Sequence, residues 1–289
     1  EQRLEFKHRD PVTTGWSEIN GICRGGLGKG ELGVVIAPTG AGKSMVLVHL
    51  GASALKHGKT VIHYTLELGD TIIANRYDSC LTKVPLDSLV SFKDLIYESV
   101  KELDGTLFVK EYSTKSATTN TIRNHLEKLK TKGVEPDMII VDYGDLLRPI
   151  HNQREKRNEL ESIYEEMRAI AQDFDCPLWT ASQTNRSGLN AEVITMESIS
   201  EAFSKCFVAD FIFSVSRTVE DKAANSGRVY VAKNRNGPDG LIYPIFMDPS
   251  KVSINVLPLN TNAEVTTDTK NQSELLKEKW KKFKESRET

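Results

Sequence analysis

Residues Ala37–Ser44, APTGAGKS, join an apolar run to an amphipathic one, and the reading of that join decides the fold. The stretch fits a pattern of alanine or glycine, four residues of any kind, then Gly-Lys-Ser/Thr, with Ala37 where the strictest form has glycine. Residues 31–37, ELGVVIA, have the unbroken apolar character of a buried strand. Residues 44–58, SMVLVHLGASALKHG, have the longer period of a helix, with Gly58 as its stop. Strand, glycine-rich loop and helix in that order predict a phosphate-binding loop. Backbone N–H groups of such a loop and the positive end of the helix dipole converge on an anion. Pro38, Thr39, Gly40, Ala41 and Gly42 form the expected cradle. Lys43 then neutralises β- and γ-phosphates, and the Ser44 hydroxyl ligates Mg²⁺. The expectation is a nucleoside triphosphate site with Mg²⁺.

Composition narrows the possible partners. The chain has 289 residues, 39% hydrophobic and 27% charged, which supports a folded core and excludes global disorder. A net charge of −2 provides no overall basic field. Nucleic acid would therefore have to meet a local patch, or a pore lined by several subunits. Cys23, Cys80, Cys176 and Cys206 are far apart, with no C-x-x-C pair and no nearby histidine cluster. They read as buried thiols in a reducing compartment rather than as zinc ligands. No apolar run reaches the ~18 residues of a membrane span, and no signal peptide pattern appears. The expectation is a cytoplasmic protein with no membrane partner. Glu1 rather than methionine opens the chain, as in a piece of a longer product.

Strand-like runs recur at 60–68, 106–112, 137–143, 176–183 and 210–217, with helical patterns at 86–103, 118–133 and 155–174. This alternation predicts an α/β fold: a mostly parallel sheet with helices on both faces. Near the end, short strands at 227–235, 240–248 and 251–257 are separated by turn residues such as Asn236-Gly237-Pro238-Asp239-Gly240. They predict a β-meander appended to the sheet. The expected division is a domain over 1–258, followed over 259–289 by a polar linker and a charged helical tail. In that tail Leu275, Leu276, Trp280 and Phe283 form a sparse apolar stripe.

Three strand ends carry further chemistry. Asp142 closes the apolar run MIIVD, the setting of a carboxylate that holds Mg²⁺ through water. Glu67 follows the next strand after the loop helix, where it can polarise a water as general base. Gln183 ends another strand; it reads either as an amide sensing the γ-phosphate or as one capping a helix.

Taken in order, residues 14–44, YTLEL (64–68), MIIVDYGDLL (138–147), LWTASQTNRSG (178–188) and VYVAKNRNGPDG (229–240) resemble the ATPase domain of DnaB-type replicative helicases. That family is a RecA-like group forming hexameric rings, and the likeness covers about residues 13–250. It implies a RecA-like P-loop core. Lys43 and Ser44 become the Walker A pair, Glu67 the catalytic glutamate, Asp142 the Walker B aspartate and Gln183 the γ-phosphate sensor. Lys233 and Arg235 match the pair that the family inserts into a neighbouring subunit's site, with Asn236 and Gly237 completing the signature. Without the likeness they read as cations of a solvated hairpin.

There are departures too. In the stretch 197–210, ESISEAFSKCFVAD, Ser200 stands where the family carries a DNA-gripping arginine. Glu201 is kept, Phe203 replaces a glycine, and Lys205 is the nearest cation. Arg186, Ser200, Glu201 and Lys205 are the expected DNA-facing positions. The stretch before Thr13 does not hold the N-terminal domain with which such helicases dock a primase. The implied function is an ATP-dependent helicase or translocase, a hexameric ring on single-stranded DNA in replication, with primase or loader proteins as partners. The competing expectation is a RecA-like ATPase that regulates assembly, or mediates recombination, and unwinds nothing.

Overall fold

The structure, a computed structural model, describes residues 9–151, 155–184 and 206–259. Six strands appear where the alternation predicts them: β1 (Leu32–Ala37), β2 (Thr60–Thr65), β3 (Thr106–Glu111), β4 (Met138–Asp142), β5 (Leu178–Gln183) and β6 (Phe211–Ser216). All six pair in parallel. The meander follows as β7 (Ser226–Asn234), β8 (Ile242–Asp248) and β9 (Ser253–Val256), each antiparallel to the strand before it. Together they make one nine-stranded sheet in the order β3-β2-β4-β5-β1-β6-β7-β8-β9.

Burial explains why the two halves read differently as sequence. β1, β4 and β6 are buried at every residue, as strands covered on both faces must be. In β8, Tyr243, Ile245 and Met247 are buried while Pro244 and Phe246 are exposed, the period of a strand covered on one face. Of the helices, α1 (Ser17–Ile22) precedes β1, and α2 (Lys43–Lys56) follows the loop. Beyond β2 come α3 (Asp70–Thr82) and α4 (Lys93–Lys101); α5 (Thr119–Lys130) and α6 (Lys156–Asp173) flank β4 in sequence. A short α7 (Val219–Ala223) joins β6 to β7.

One face of the sheet is covered by α2, with α3 packed on it. Gly51 of α2 allows that approach: a Cβ there would stand 2.1 Å from the Tyr77 hydroxyl and 3.0 Å from Ile140 Cδ1. On the other face Ile122, Leu126, Ile163 and Met167 of α5 and α6 share a core with Val34, Ile62 and Ile139. Each such side chain contributes ~1.5–3 kcal/mol by leaving water. α2 stops as the sequence predicts: Gly58 has φ 72°, and the N–H groups of Gly58 and Lys59 bond back to the carbonyls of Leu55 and Ala54.

Two local readings change. The run 60–68 is strand only to Thr65; the Thr65 hydroxyl then donates to the Leu68 carbonyl and turns the chain, leaving Glu67 exposed on a bend. α3 is a helix that the sequence reading leaves out. Its buried stripe of Ile73, Tyr77 and Cys80 is narrow, and the rest of the segment is polar. All four cysteines are buried. Among the described residues no helix is long and apolar enough to cross a membrane. Every described element belongs to a unit ending at Val256. Arg186, Ser200, Glu201 and Lys205, and the tail positions Leu275, Leu276, Trp280 and Phe283, lie outside the described residues.

Candidate active site

Register brings the loop and the three strand ends together. Ala37 pairs with Gln183 and Thr65 with Asp142, so the phosphate loop, Glu67, Asp142 and Gln183 lie along one edge, at the carboxyl ends of the parallel strands. Gly40 and Gly42 have φ of 73° and 102°, a left-handed backbone that favours glycine. Gly42 is also the N-cap of α2, and the helix start has no side-chain cap. Its first N–H groups are thus left for an anion.

Lys43 is 8% exposed, with its ammonium 5.2 Å from the centroid of the Tyr143 ring. Burial lowers its pKa, while the charges of Glu67, Asp142 and Asp145 act to raise it. Asp142 is completely buried, and among the described residues neither carboxylate oxygen has a hydrogen-bond partner. Burial pushes its carboxyl up to about 6, and the charge of Glu67 adds to that shift. The Ser44 hydroxyl opposes it, yet does not reach hydrogen-bond geometry with either oxygen; Lys43 and Arg76 oppose it from further off.

A buried carboxylate with two idle oxygens, next to a serine hydroxyl, is costly unless something positive completes it. Oxygen donors of this kind fit Mg²⁺. Among the described residues Gln183 caps no helix. Its amide donates to Thr39 Oγ1 at 2.7 Å and accepts from the Tyr143 hydroxyl at 3.2 Å, tying the phosphate loop to the end of β4. Its backbone N–H reaches Asp145 Oδ2 at 3.3 Å.

Lys233 and Arg235 are elsewhere. Phe211 pairs with both Gly33 and Asn234, so β7 ends where β1 and β6 begin. Six residues of β1 separate this edge from the phosphate loop, ~20 Å at ~3.3 Å per residue. Lys233 donates to the Phe207 carbonyl and stands 4.3 Å from the centroid of that ring. Arg235, one residue past β7, donates through Nη1 to Asp210 Oδ1 at 2.9 Å. Both cations thus turn toward the segment that precedes β6. Asn234 donates to the carbonyls of Ile22 and Pro238, and a Cβ on Gly237 would stand 2.1 Å from the Ile22 oxygen. Those two residues shape the turn.

The geometry is that of a phosphate loop with its acids at one edge and a cation pair at the other. A family model described as the DnaB-like helicase C-terminal domain matches residues 11–253. The chain belongs to that family. A DnaB-like replicative helicase of Enterobacteria phage T4 is 31% identical over 231 residues, 76% of this chain and 49% of that protein. The replicative DNA helicase DnaB of Mycoplasma genitalium is 26% identical over 260 residues, 82% of this chain and 52% of that one. This DnaB-like domain therefore spans about half the length of the curated relatives it matches.

Among solved structures, the "ATPase Domain of G40P" superposes with a TM-score of 0.73 at 16% identity, covering 89% of this chain and 95% of that one. A DnaB-like replicative helicase, solved in a study of its interactions with primase, gives 0.73 at 17%, covering 87% and 62%. At those identities the likeness is one of fold, and the fold is the RecA-like α/β core with antiparallel C-terminal strands. Sequence reasoning on the DnaB-like domain passed over Tyr143, Asp145 and Asp210. Tyr143 stands beside Asp142 in the same motif, but its hydrogen-bond partner is 40 residues away.

Proposed function

We propose that this DnaB-like domain hydrolyses ATP at sites shared between subunits, and that a hexameric ring of such subunits uses the turnover to move along single-stranded DNA during replication. The observation that carries the proposal is the split between edges. Lys43, Ser44, Glu67, Asp142 and Gln183 gather at one end of the sheet, while Lys233 and Arg235 stand at the other. A chain cannot bring its own Arg235 to its own Lys43 across the length of β1, but a neighbour can.

Each residue then has one task. The N–H groups of the loop and the Lys43 ammonium hold the triphosphate. Ser44, and Asp142 through water, would hold Mg²⁺, which when bound would supply charge stabilisation to the phosphates. Glu67, exposed on its bend beside the loop, takes a proton from the attacking water. Gln183, tied to Thr39, registers whether the γ-phosphate is present. Arg235 of a neighbouring subunit stabilises the charge that develops in transfer, a contribution of ~10³–10⁵ in rate, with Lys233 as a second point charge. Single-stranded DNA would be met by Arg186 and Lys205, and the likeness to a helicase studied with primase makes primase the first partner to test.

The test mixes subunits. Arg235→Ala and Lys43→Ala proteins are each expected to be inactive. A mixture forms interfaces that join an intact loop to an intact Arg235, and turnover there should partly return. Mixed oligomers that form and stay as inactive as their parents would refute the shared site. Turnover indifferent to single-stranded DNA, with no rings in electron micrographs, would favour an ATPase that only regulates assembly.

A further inference from the structure

Asp210 closes the segment before β6 and takes no part in the phosphate site. It is 4% exposed, and its carboxylate accepts four hydrogen bonds. Oδ2 takes the backbone N–H of Leu32 at 3.0 Å and Nε of Arg168 at 3.1 Å. Oδ1 takes Nη2 of Arg168 at 3.1 Å and Nη1 of Arg235 at 2.9 Å. Arg168 on α6 thus grips the carboxylate with two parallel bonds, which fix its plane, and Leu32 keys it to the first residue of β1.

One bidentate arginine is enough to balance one buried carboxylate. Arg235 is therefore surplus to the charge balance, and its side chain is 45% exposed against 6% for Asp210. The main chain holds it at the same place: the Arg235 N–H donates to the Asp210 carbonyl at 3.0 Å. An arginine held, among the described residues, at one nitrogen and by its backbone, and nearly half exposed, is aimed.

We propose that Asp210, braced by Arg168, is the positioning residue for Arg235: it sets the direction in which the guanidinium leaves the sheet edge toward a neighbouring subunit's phosphates. The proposal rests on the shared-site reading above. Asp210 acts through Arg235 and touches no nucleotide.

Asp210→Asn keeps the shape and removes the charge. Turnover of the homogeneous protein should fall about 10- to 100-fold, the loss expected of a catalytic group misplaced by about 1 Å. Its own phosphate loop should bind nucleotide within about twofold of wild type, since Kd follows the loop rather than the far edge. Complementation gives the readout that a merely structural defect would not reproduce. Mixed with Lys43→Ala, which carries a sound Asp210 and Arg235, the variant should regain turnover. Mixed with Arg235→Ala it should not, because neither subunit then presents an aimed arginine. Arg168→Gln, which loosens the brace and leaves the buried carboxylate in place, should show the same pattern with a smaller loss, and it serves if Asp210→Asn does not fold. Undiminished turnover, recovery with Arg235→Ala, or no recovery with Lys43→Ala would each overturn the proposal. The Arg235→Ala and Lys43→Ala mixture is run alongside. If that control forms mixed oligomers and stays inactive, the shared site itself fails and this proposal falls with it.

Discussion

Removing the charge of Asp142 should make the metal-free, nucleotide-free protein more stable. In the folded chain this carboxyl is completely buried, has no hydrogen-bond partner among the described residues, and is pushed up to about 6, mainly by burial. Against an ordinary value of 3.8, that shift corresponds to a cost on the order of 3 kcal/mol once the group is ionised. The sign follows from proton counting. Between about pH 4 and pH 6 the folded state binds more protons here than the unfolded state, so stability falls as pH rises through that window. Below it the cost is absent, and above it the cost is complete. In Asp142→Asn that pH-dependent loss disappears. The amide keeps part of its own desolvation penalty, and Lys43 loses one of its three compensating carboxylates, so the net gain at pH 7.5 should be ~1–3 kcal/mol. Urea unfolding in EDTA, followed by the fluorescence of the buried Trp16 and Trp179, measures it across pH 4 to 8. Mg²⁺ with a nucleotide should narrow or reverse the difference, since the wild type then gains more by linkage than a variant that lacks the Asp142 carboxylate. An Asn variant less stable than wild type at neutral pH in EDTA, or a difference that stays flat from pH 4 to pH 7, would refute the reasoning.

Two further outcomes follow from the proposed function. Glu67→Gln should bind ATP with near-normal affinity and lose turnover, because a carboxamide cannot accept the proton; isothermal titration beside a phosphate-release assay separates the two, and near-wild-type turnover would remove Glu67 from the role of base. Affinity for single-stranded DNA should fall with salt at a log–log slope of about −0.7 for each phosphate contacted, and Arg186→Ala and Lys205→Ala should each make that slope shallower by about one half to one, as read by fluorescence anisotropy in an ATP analogue.

What could be read from sequence was what lies close along the chain. The phosphate loop was legible because its strand, glycines, lysine, serine and helix are consecutive, and each has a local physical reason to be there. The parallel strands were legible because burial on both faces leaves an unbroken apolar run, and the meander because burial on one face leaves alternation. Glu67 stood out as a candidate, but its place on a bend beyond β2 did not, since Leu66 and Leu68 continue the apolar pattern past the Thr65 turn. Asp210 was not legible at all. Its arginine partners stand 42 and 25 residues away, and an acid before an apolar strand has no local signature. The hydrogen bonds of Gln183 to Thr39 and Tyr143 were hidden for the same reason, although all three residues fall within motifs read from the sequence.

Lys233 and Arg235 match a motif in sequence, but only the sheet shows at which edge that motif lies. β6 runs parallel to β1 and β7 runs back against it, so a cation at the end of β7 is carried to the edge opposite the phosphate loop. Without that antiparallel return the same motif would lie at the same edge as Lys43. Opposite placement also constrains assembly under the proposed function. A subunit that offers its arginine at one edge and receives one at the other must meet its neighbours head to tail, and head-to-tail contacts close as a ring or continue as a helix. In a closed ring every subunit gives one arginine and accepts one, so the number of complete sites equals the number of subunits. In an open filament one loop at the end lacks its donor. A filament of n subunits would then lose one site in n, so short filaments lose the larger share while rings lose none, and specific turnover compared between size-separated assemblies distinguishes the two geometries. The polarity that makes this comparison possible comes from the antiparallel return of β7.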